Sequence, residues 1–474
     1  MDALADCTMP PRHPLTGPLP SDPLQNLPTE LVSRVFELHD WSWPNGYLQS
    51  PLVLGAVCQL WRSIAWSTPN LWDVALFCLN PTPSLCKPSH DFAARTKLFK
   101  EYVDRSGALP LTIHVYANKT LAYEVDDEQL RPLVDIINER SPQWRNITLE
   151  LPASLWNLLS VNRQMALPTL RTIRFSPTSN YSDENPAGEL PLCFVQSLGN
   201  LKSLDLNRVS FNPSSMEGTW QNLQTLSASS WTFDICLEAL RKAPSLRHAT
   251  FTVRRDDNRP RADQPALEPQ DFTINHDNLH NLTLNCRQAL ESDHFFDNLT
   301  LPSLESLTLS GYPIAASPVI RMVGRSRPEL RAFELTNSSW KVEDLPSFLA
   351  VSKHLRTMSL NRPFFPFSPS VLFRKLFELG HLPKLEKLEY HDLWPTGGWK
   401  FVEQIPNLRD ERGERTLRQV CVTLSTPKHT IDGLLPESST LNWVDQLGKV
   451  GLEVGLCVKG PNVRSVNVVE ASLR

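Results

Sequence analysis

Cysteine, histidine and carboxylate side chains are the groups in this sequence that could carry covalent or metal chemistry. The 474 residues include nine cysteines and twelve histidines. The cysteines are widely spread and form no CxxC pair, and no histidine or carboxylate stands at a metal-ligand or nucleophile spacing. No GxGxxG and no P-loop motif is present. The sequence therefore predicts a protein that is not an enzyme, with no catalytic residue, no metal and no cofactor.

Net charge and cysteine usage indicate where the protein works and what it binds. The formal net charge is −4 and the pI is near 6.3, so no basic excess steers the chain onto nucleic acid or anionic lipid. An odd number of scattered cysteines is typical of a reducing compartment. The N-terminus has no apolar signal segment, and no apolar run is long enough for a membrane span. We expect a cytoplasmic and/or nuclear protein with no nucleic-acid or membrane partner.

Three tryptophans crowd the segment VCQLWRSIAWSTPNLW, residues 57–72. Before it, residues 1–23 carry six prolines and little periodicity, which predicts a disordered tail. Apolar residues recur at helical spacing in LPTELVSRVFELHD, residues 27–40, and again from about Leu52 to Trp66. Thr68-Pro69 predicts the N-cap and first residue of a short helical turn.

These short helices cannot bury all of their large apolar side chains against one another. A module of about fifty residues rarely supplies enough core alone. Part of the apolar surface must therefore be covered by another protein or by the rest of the chain. For Trp61 an interface and an internal core position are both open, and Trp72 is expected to pack the module onto the repeats.

Copies of an L-x-x-L-x-L frame fill the rest of the chain. Eleven copies begin at residues 144, 170, 201, 223, 246, 279, 304, 330, 355, 385 and 417. Their mean step, (417 − 144)/10, is about 27 residues, within the 20–29 residues of leucine-rich repeats. Individual steps are uneven, which indicates an irregular array. Because one such unit cannot bury its own apolar face, neighbours must stack into a solenoid.

The frame predicts which side chains face the core. Positions 1, 4 and 6 should point inward, while positions 5 and 7 should point out and carry mostly Ser, Thr and Asn. A later inward position is expected at Phe211, Phe233, Ile314, Trp340 and Phe365. Helical patterns lie between strands at 235–244, 318–328 and 370–380.

The N-terminal motifs resemble an F-box. LPTELVSRVF fits the form L-P-x-E-[LI]-x-x-x-[IV]-F, VCQLWRSIA fits V-C-x-x-W-R-x-[IL]-A, and TPNLW fits T-P-x-L-W. With RSGALPLTIHV, residues 105–115, they are similar to F-box proteins abundant in mushroom-forming fungi. The repeats behind them are a second match, to F-box proteins with C-terminal leucine-rich repeats. Gln59 departs from the basic residue often found after the cysteine.

This resemblance implies a function in protein degradation. The module would dock a Skp-type adaptor, which links it to a cullin-RING complex, and the repeats would capture a protein substrate. The chain would then be the substrate-recognition subunit of a Skp-cullin-F-box type ubiquitin ligase. The adaptor surface implied by the motifs comprises Leu27, Pro28, Leu31, Val35, Phe36, Val57, Cys58, Trp61 and Ile64. The alternative is a leucine-rich-repeat scaffold or GTPase-regulator-like interaction protein acting outside a ligase.

Aromatic residues after the later strands predict where substrate binds. Interfaces draw much of their energy from a few buried aromatic side chains. Such residues follow successive strands at Tyr312, Phe364, Phe367 and Trp394. A charged, proline-rich insertion at 254–271 is expected to be solvated and is the second candidate.

The expected fold class is α/β, with a small helical F-box followed by an irregular solenoid of parallel strands alternating with helices or loops. The predicted boundaries are 1–23 for the disordered tail, 24–78 for the F-box, 79–139 for a helical connector and solenoid cap, and 140–474 for the repeats.

Overall fold

The computed structural model describes most of the repeats and most of the N-terminal helices. The described residues are 27–38, 51–79, 92–116, 127–159, 169–177, 188–189, 199–210, 219–254, 273–286, 293–311, 314–337, 340–341, 343–361, 384–393, 399, 402, 417–425, 436–449, 451–459 and 466–467.

The chain forms two compact units. One comprises Met1–Val74 with Glu101–Leu109, and the other comprises Ala75–Lys100 with Pro110–Arg474. Residues 101–109, which the sequence assigned to the connector, therefore belong to the first unit.

Three helices and a 3-10 turn form the N-terminal module. They are α1 (Thr29–Leu38), α2 (Leu52–Val57), α3 (Gln59–Trp66) and the turn Pro69–Leu71. The sequence predicted one helix from about Leu52 to Trp66, and this was wrong. Cys58 is extended, with φ −156° and ψ 172°, and its Sγ accepts a hydrogen bond from the Trp61 backbone N–H at 3.4 Å. Cys58 therefore ends α2 and caps α3.

A sheet of fifteen strands forms the second unit. Its strands, in their order across the sheet, are β1 (Val74–Cys78), β2 (Leu111–Tyr116), β3 (Trp144–Leu151), β4 (Thr172–Pro177), β6 (Ser203–Leu206), β8 (Thr225–Trp231), β9 (His248–Val253), β11 (Asn281–Cys286), β13 (Ser306–Gly311), β14 (Ala332–Thr336), β15 (Thr357–Asn361), β16 (Lys387–Leu393), β17 (Gln419–Ser425), β18 (Glu453–Lys459) and β19 (Val466–Asn467). Two short parallel pairs stand apart from it, namely β5 (Gly188–Glu189) with β7 (Val209–Ser210) and β10 (Ile274–Asn275) with β12 (Leu299–Thr300).

All eleven frames form strands of this sheet, as predicted. From β2 to β18 each strand pairs in parallel with the next, and frame position 4 aligns with position 4, as in Leu282 with Leu307 and Leu307 with Phe333. Positions 1, 4 and 6 are buried throughout. At position 5 the side chains are half-buried or exposed, except Ser359, which is buried. The chain is thus a leucine-rich-repeat-like solenoid whose core lies behind the strands.

Strands at both ends of the array were not predicted. In β2, Leu111 pairs with Trp144 at frame position 1 and Thr112 pairs with Asn146 at position 3, so β2 is one residue short of the frame. In β18, the register of Glu453 with Gln419 places Gly451 at frame position 1, with φ +86°. At one end the spacing of the frame is broken and at the other end its first leucine is replaced by glycine, so the pattern is hidden at both ends.

Helices pack beside the strands. They are α4 (Phe92–Arg105), α5 (Asp127–Glu139), α6 (Phe233–Lys242), α7 (Asp293–Asp297), α8 (Ala316–Ser326), α9 (Asp344–Val351) and α10 (Ser438–Lys449). The predicted helices at 235–244 and 318–328 are confirmed as α6 and α8, with slightly different ends. Phe233, Ile314 and Trp340 occupy the predicted later inward position and are buried. Phe211, Phe365 and the pattern at 370–380 lie outside the described residues.

Candidate protein-interaction site

Large apolar side chains are exposed on the helices of the N-terminal module. Among the described residues, eight large apolar side chains are exposed, and seven of them lie on or beside α1, α2 and α3. We call these seven the apolar set: Leu27, Leu31, Val35, Leu38, Val53, Val57 and Leu60. The eighth, Leu98, is 47% exposed and lies on α4. Clustering of this kind marks a contact surface, whereas a single exposed leucine does not.

The spacing on α1 separates an inner stripe from an outer one. Val32 and Phe36, four residues apart, are buried, whereas Leu31 and Val35 are exposed. Leu31 is 52% exposed although its neighbour Val32 is almost fully buried. Successive helical residues are rotated by about 100°, so the two apolar stripes face different directions. One stripe supplies the core, and Leu31 and Val35 of the other are 52% and 46% exposed.

The core beneath α1 consists of side chains from the module itself. Its buried members are Val32, Phe36, Ile64, Ala65, Leu71 and Trp72. Phe36 packs on Trp61 with ring centroids 5.0 Å apart. The hydroxyl of Thr68 donates to the Ile64 carbonyl at 2.7 Å, which ties the end of α3 to the following turn. These contacts hold α1 and α3 together and fix the direction of the outer stripe.

The junction of α2 and α3 depends on a glycine. A Cβ atom at Gly55 would overlap the Trp66 ring, so only glycine permits this approach of the two helices. The guanidinium of Arg62 donates through Nε to the Gly55 carbonyl at 2.8 Å and bridges the break at Cys58. Val53 and Val57 on α2 are thereby held in place near Leu60 at the start of α3.

Trp72 lies at the centre of an aromatic cluster and is fully buried. Its indole N–H donates to the Ala65 carbonyl at 2.8 Å. Trp66 and Tyr102 pack on it edge-on, with centroids 5.3 and 4.8 Å away, and the Arg105 guanidinium lies 4.9 Å from its ring. Tyr102 and Arg105 belong to the end of α4, which explains why that helix end joins the module. Burial raises the pKa of the Tyr102 hydroxyl, and the Asp73 carboxylate adds to this.

The structure separates the nine residues expected at the adaptor surface into three groups. Leu27, Pro28, Leu31, Val35 and Val57 are exposed. Cys58 and Trp61 are half-buried, so Trp61 both packs on the core and reaches the surface. Phe36 and Ile64 are buried in the module core and support the surface from beneath. The predicted surface thus loses these two residues as direct contacts.

Three exposed residues were absent from the predicted surface: Leu38, Val53 and Leu60. Leu38 continues the spacing of Leu31 and Val35 along α1, so helical periodicity could have included it. Val53 and Leu60 stand four residues before and three residues after Val57, so helical spacing could have included them as well.

All four residues predicted to bind substrate, Tyr312, Phe364, Phe367 and Trp394, lie outside the described residues. The insertion predicted at 254–271 also lies outside them, apart from Arg254. Both substrate-site expectations therefore stay predictions.

Polar side chains form a network on the outward face of the strands. Arg174 donates through Nε to the Asp205 carboxylate at 2.6 Å. The amide of Asn207 donates to the Ser176 hydroxyl at 2.9 Å and accepts from the Ser229 hydroxyl at 2.6 Å. These bonds link neighbouring strands and leave small polar groups at the surface, in keeping with the neutral face predicted for frame positions 5 and 7.

Thiols and possible metal ligands give no reactive constellation in the part of the chain that the structure describes. No group of three or more His, Cys, Asp or Glu side chains there could hold a metal ion. Burial raises the pKa of the Cys286 thiol to about 12, and burial also raises the pKa of Cys236. Both thiols stay protonated near neutral pH, so neither is an active nucleophile. None of the described helices is both long and apolar enough to span a membrane.

Comparison with known proteins adds only weak structural likeness. No protein-family model matches this chain, and no curated protein matches it. Among solved structures it is similar to a chain in the crystal structure of a TLR13-ssRNA13 complex, with 14% identity and a TM-score of 0.28. The similarity covers 60% of this chain and 49% of that chain, about half of its length. This likeness is too weak to support a fold assignment. The evidence for the repeat architecture is the register of the strands.

Proposed function

We propose that this protein is the substrate-recognition subunit of a Skp-cullin-F-box type ubiquitin ligase. The observation that carries the proposal is the apolar set on the N-terminal module. Seven large apolar side chains on three short helices remain exposed to water while a separate core is complete behind them. A rigid, preformed apolar surface of this kind suits a partner protein of matching apolar character.

The sequence motifs identify the partner. The same helices carry the three segments that resemble an F-box, and an F-box docks a Skp-type adaptor. Leu31 and Val35 would be central contacts of that interface, with Trp61 at its edge. Each buried apolar side chain adds about 1.5–3 kcal/mol to association before the cost of ordering.

The repeat unit would supply substrate recognition. Its sheet offers a long outward face, and repeat arrays generally bind proteins through such extended surfaces. The chain itself would form or break no covalent bond. It would hold a substrate lysine within reach of a ubiquitin-conjugating enzyme bound to the cullin-RING complex, so that proximity accelerates transfer. The complex would work in the cytoplasm and/or nucleus.

Replacing Leu31 with Asp tests this proposal. The full chain is co-expressed with a Skp-type adaptor and passed over a size-exclusion column. We expect the wild-type chain to co-elute with the adaptor at one-to-one stoichiometry and Leu31→Asp to elute alone, because a buried, unpaired carboxylate is strongly unfavourable. The thermal unfolding temperature of the variant should be unchanged, since Leu31 is already exposed in the free chain.

A matched control is available in Leu98→Asp. Leu98 is as exposed as Leu31 but lies on α4, outside the apolar set. This variant should retain the adaptor. Stoichiometric adaptor on Leu31→Asp, or equal loss in both variants, would show that the apolar set is not an adaptor surface.

A further inference from the structure

Residues at frame position 2 form a continuous row along the edge where the strands begin. In each repeat the N–H groups of positions 2 and 3 donate to the position-2 carbonyl of the repeat before. Examples are Lys202 to Arg171, Gln224 to Lys202 and Arg247 to Gln224, at 2.8–2.9 Å. This ladder places equivalent Cα atoms one strand spacing apart, about 4.8 Å. Side chains at position 2 therefore leave the backbone from regularly spaced points.

The two halves of this row differ in charge. In the first six repeats it reads Arg145, Arg171, Lys202, Gln224, Arg247 and His280, with four cations and no acidic residue. In the last five it reads Glu305, Arg331, Arg356, Glu386 and Arg418. There Arg331 lies 3.9 Å from the Glu305 carboxylate and Arg356 lies 3.2 Å from Glu386. In the second half two carboxylates of the row, and Glu329 at 3.4 Å from Arg331, lie among the three arginines, whereas the first half has no acidic residue at position 2.

The residues directly before and after Arg171, Lys202 and Arg247 carry no acidic side chain. Frame positions 0 and 3 in these six repeats contain no Asp or Glu; the segments are QWRN, TLRT, NLKS, NLQT, SLRH and NLHN. Arg171, Lys202 and Arg247 are exposed, and none of them forms an ion pair with a described residue. Arg145 is half-buried and donates to the Thr112 hydroxyl at 3.1 Å. We call these four residues the cationic row.

Adjacent like charges have a cost in the free protein. Arg145, Arg171 and Lys202 lie on consecutive strands, and like charges on neighbouring strands repel. A sequence selected for stability alone would place acidic residues among the cations here, as it does with Glu305 and Glu386 in the second half. An anionic partner would relieve this repulsion and would make a favourable electrostatic contact with each cation.

We propose that the cationic row binds an acidic, extended polypeptide segment of a partner protein. From Arg145 to Arg247 the row covers four strand steps, about 19 Å, which matches about six residues of extended chain at ~3.3 Å each. Carboxylates along such a segment would lie within reach of the cations, because arginine and lysine side chains are long. The proposal deepens the proposed function, since the segment would belong to the substrate, but binding at the row needs no adaptor.

A polypeptide fits the row better than a nucleic acid does. The whole chain has a net charge of −4, so its long-range field does not attract a polyanion as long as RNA. The four cations form a single line, and Arg174 on the outward face beside them is already paired with the Asp205 carboxylate. A short acidic segment can use one line of charge, whereas a nucleic-acid site needs a broad basic surface.

Neutralising the row provides the test. A fluorescein-labelled decaglutamate peptide is titrated with the full chain at low salt, and binding is followed by fluorescence anisotropy. The triple variant Arg171→Gln, Lys202→Gln, Arg247→Gln should bind at least about ten-fold more weakly, because three charge contacts are lost. Wild-type affinity should fall as NaCl is raised, through screening. The variant should unfold at the same temperature or higher, since repulsion is removed.

The second half of the row supplies a matched control. A second triple variant replaces Arg331, Arg356 and Arg418 with Gln and so removes the same number of charges at the same frame position. We expect its affinity for the peptide to change by less than about two-fold. Equal losses in the two triple variants, or no loss in the first, would overturn the proposal. So would tighter binding of an oligouridine of equal length through the same residues. Should the first triple variant unfold, Lys202→Glu alone gives the same test, and unchanged affinity would contradict the proposal.

Discussion

Single positions in this protein decide whether an apolar side chain stabilises the fold or stays available to a partner. On α1, Val32 and Phe36 are buried, and Leu31 and Val35, each one residue earlier, are exposed. The sequence shows only that all four are apolar at helical spacing. Their division follows from the direction in which α3 packs, and that depends on Gly55 and on the extended Cys58. The local sequence pattern could not indicate the close approach at Gly55 or the extended backbone at Cys58.

His276 gives a prediction at the residue scale. It is buried in the repeat unit, and its Nε2 lies 2.8 Å from the Ala243 carbonyl. Burial lowers the pKa of this imidazole below its ordinary 6.5. The unfolded chain therefore takes up a proton at higher pH than the folded chain does. The stability that neutral His276 contributes is complete above about pH 6.5 and is lost as the pH falls through the lower folded pKa.

Thermal unfolding at several pH values checks this. The unfolding temperature should drop between about pH 7.5 and about pH 5.5, and His276→Gln should make that drop smaller, because glutamine takes up no proton in this range. His354→Gln, at an exposed position, should leave the drop as in the wild type. An unchanged drop in His276→Gln would contradict the assignment.

At the scale of elements, the alternation of inward and outward side chains determines the energetics of each strand. In β13, Leu307 is fully buried and Thr308 beside it is half-buried. Leu307 packs between Leu282 and Phe333 of the neighbouring strands, because frame position 4 aligns across them. The same alternation of positions 4, 5 and 6 holds in the other strands that the frame identified, except β15, where Ser359 at position 5 is also buried.

Leu307→Ala should lower the free energy of unfolding by about 2–5 kcal/mol, since a buried leucine leaves a cavity when truncated. Thr308→Ala should change it by less than about 0.5 kcal/mol, as is usual for surface positions. Urea denaturation followed by circular dichroism measures both. Equal effects at the two sites would contradict the alternation.

The strands could be predicted because one physical rule repeats eleven times, and one weak copy is supported by its neighbours. Where the frame is one residue short, as in β2, or lacks its first leucine, as at Gly451, the strand was missed although its later residues alternate normally. The break at Cys58 was missed for a related reason, because helical periodicity continues across it. The cationic row was also missed, since it appears only when the repeats are compared at position 2.

At the scale of the molecule, the two units carry different kinds of surface. The N-terminal module exposes the apolar set, and the repeat unit exposes polar side chains and the cationic row. Apolar burial favours a stable, constitutive partner, and an exposed charged row favours a salt-sensitive, exchangeable one. This contrast agrees with a permanent adaptor at one unit and a transient substrate at the other.

Hydrogen exchange of the full chain, with and without a Skp-type adaptor, tests the adaptor surface most directly. An interface slows amide exchange where it covers backbone that otherwise opens to water. We expect the adaptor to slow exchange in α1 and across α2 and α3, and to leave the central strands β11 to β14 unchanged. No protection in these helices, or protection confined to the repeat unit, would contradict the account.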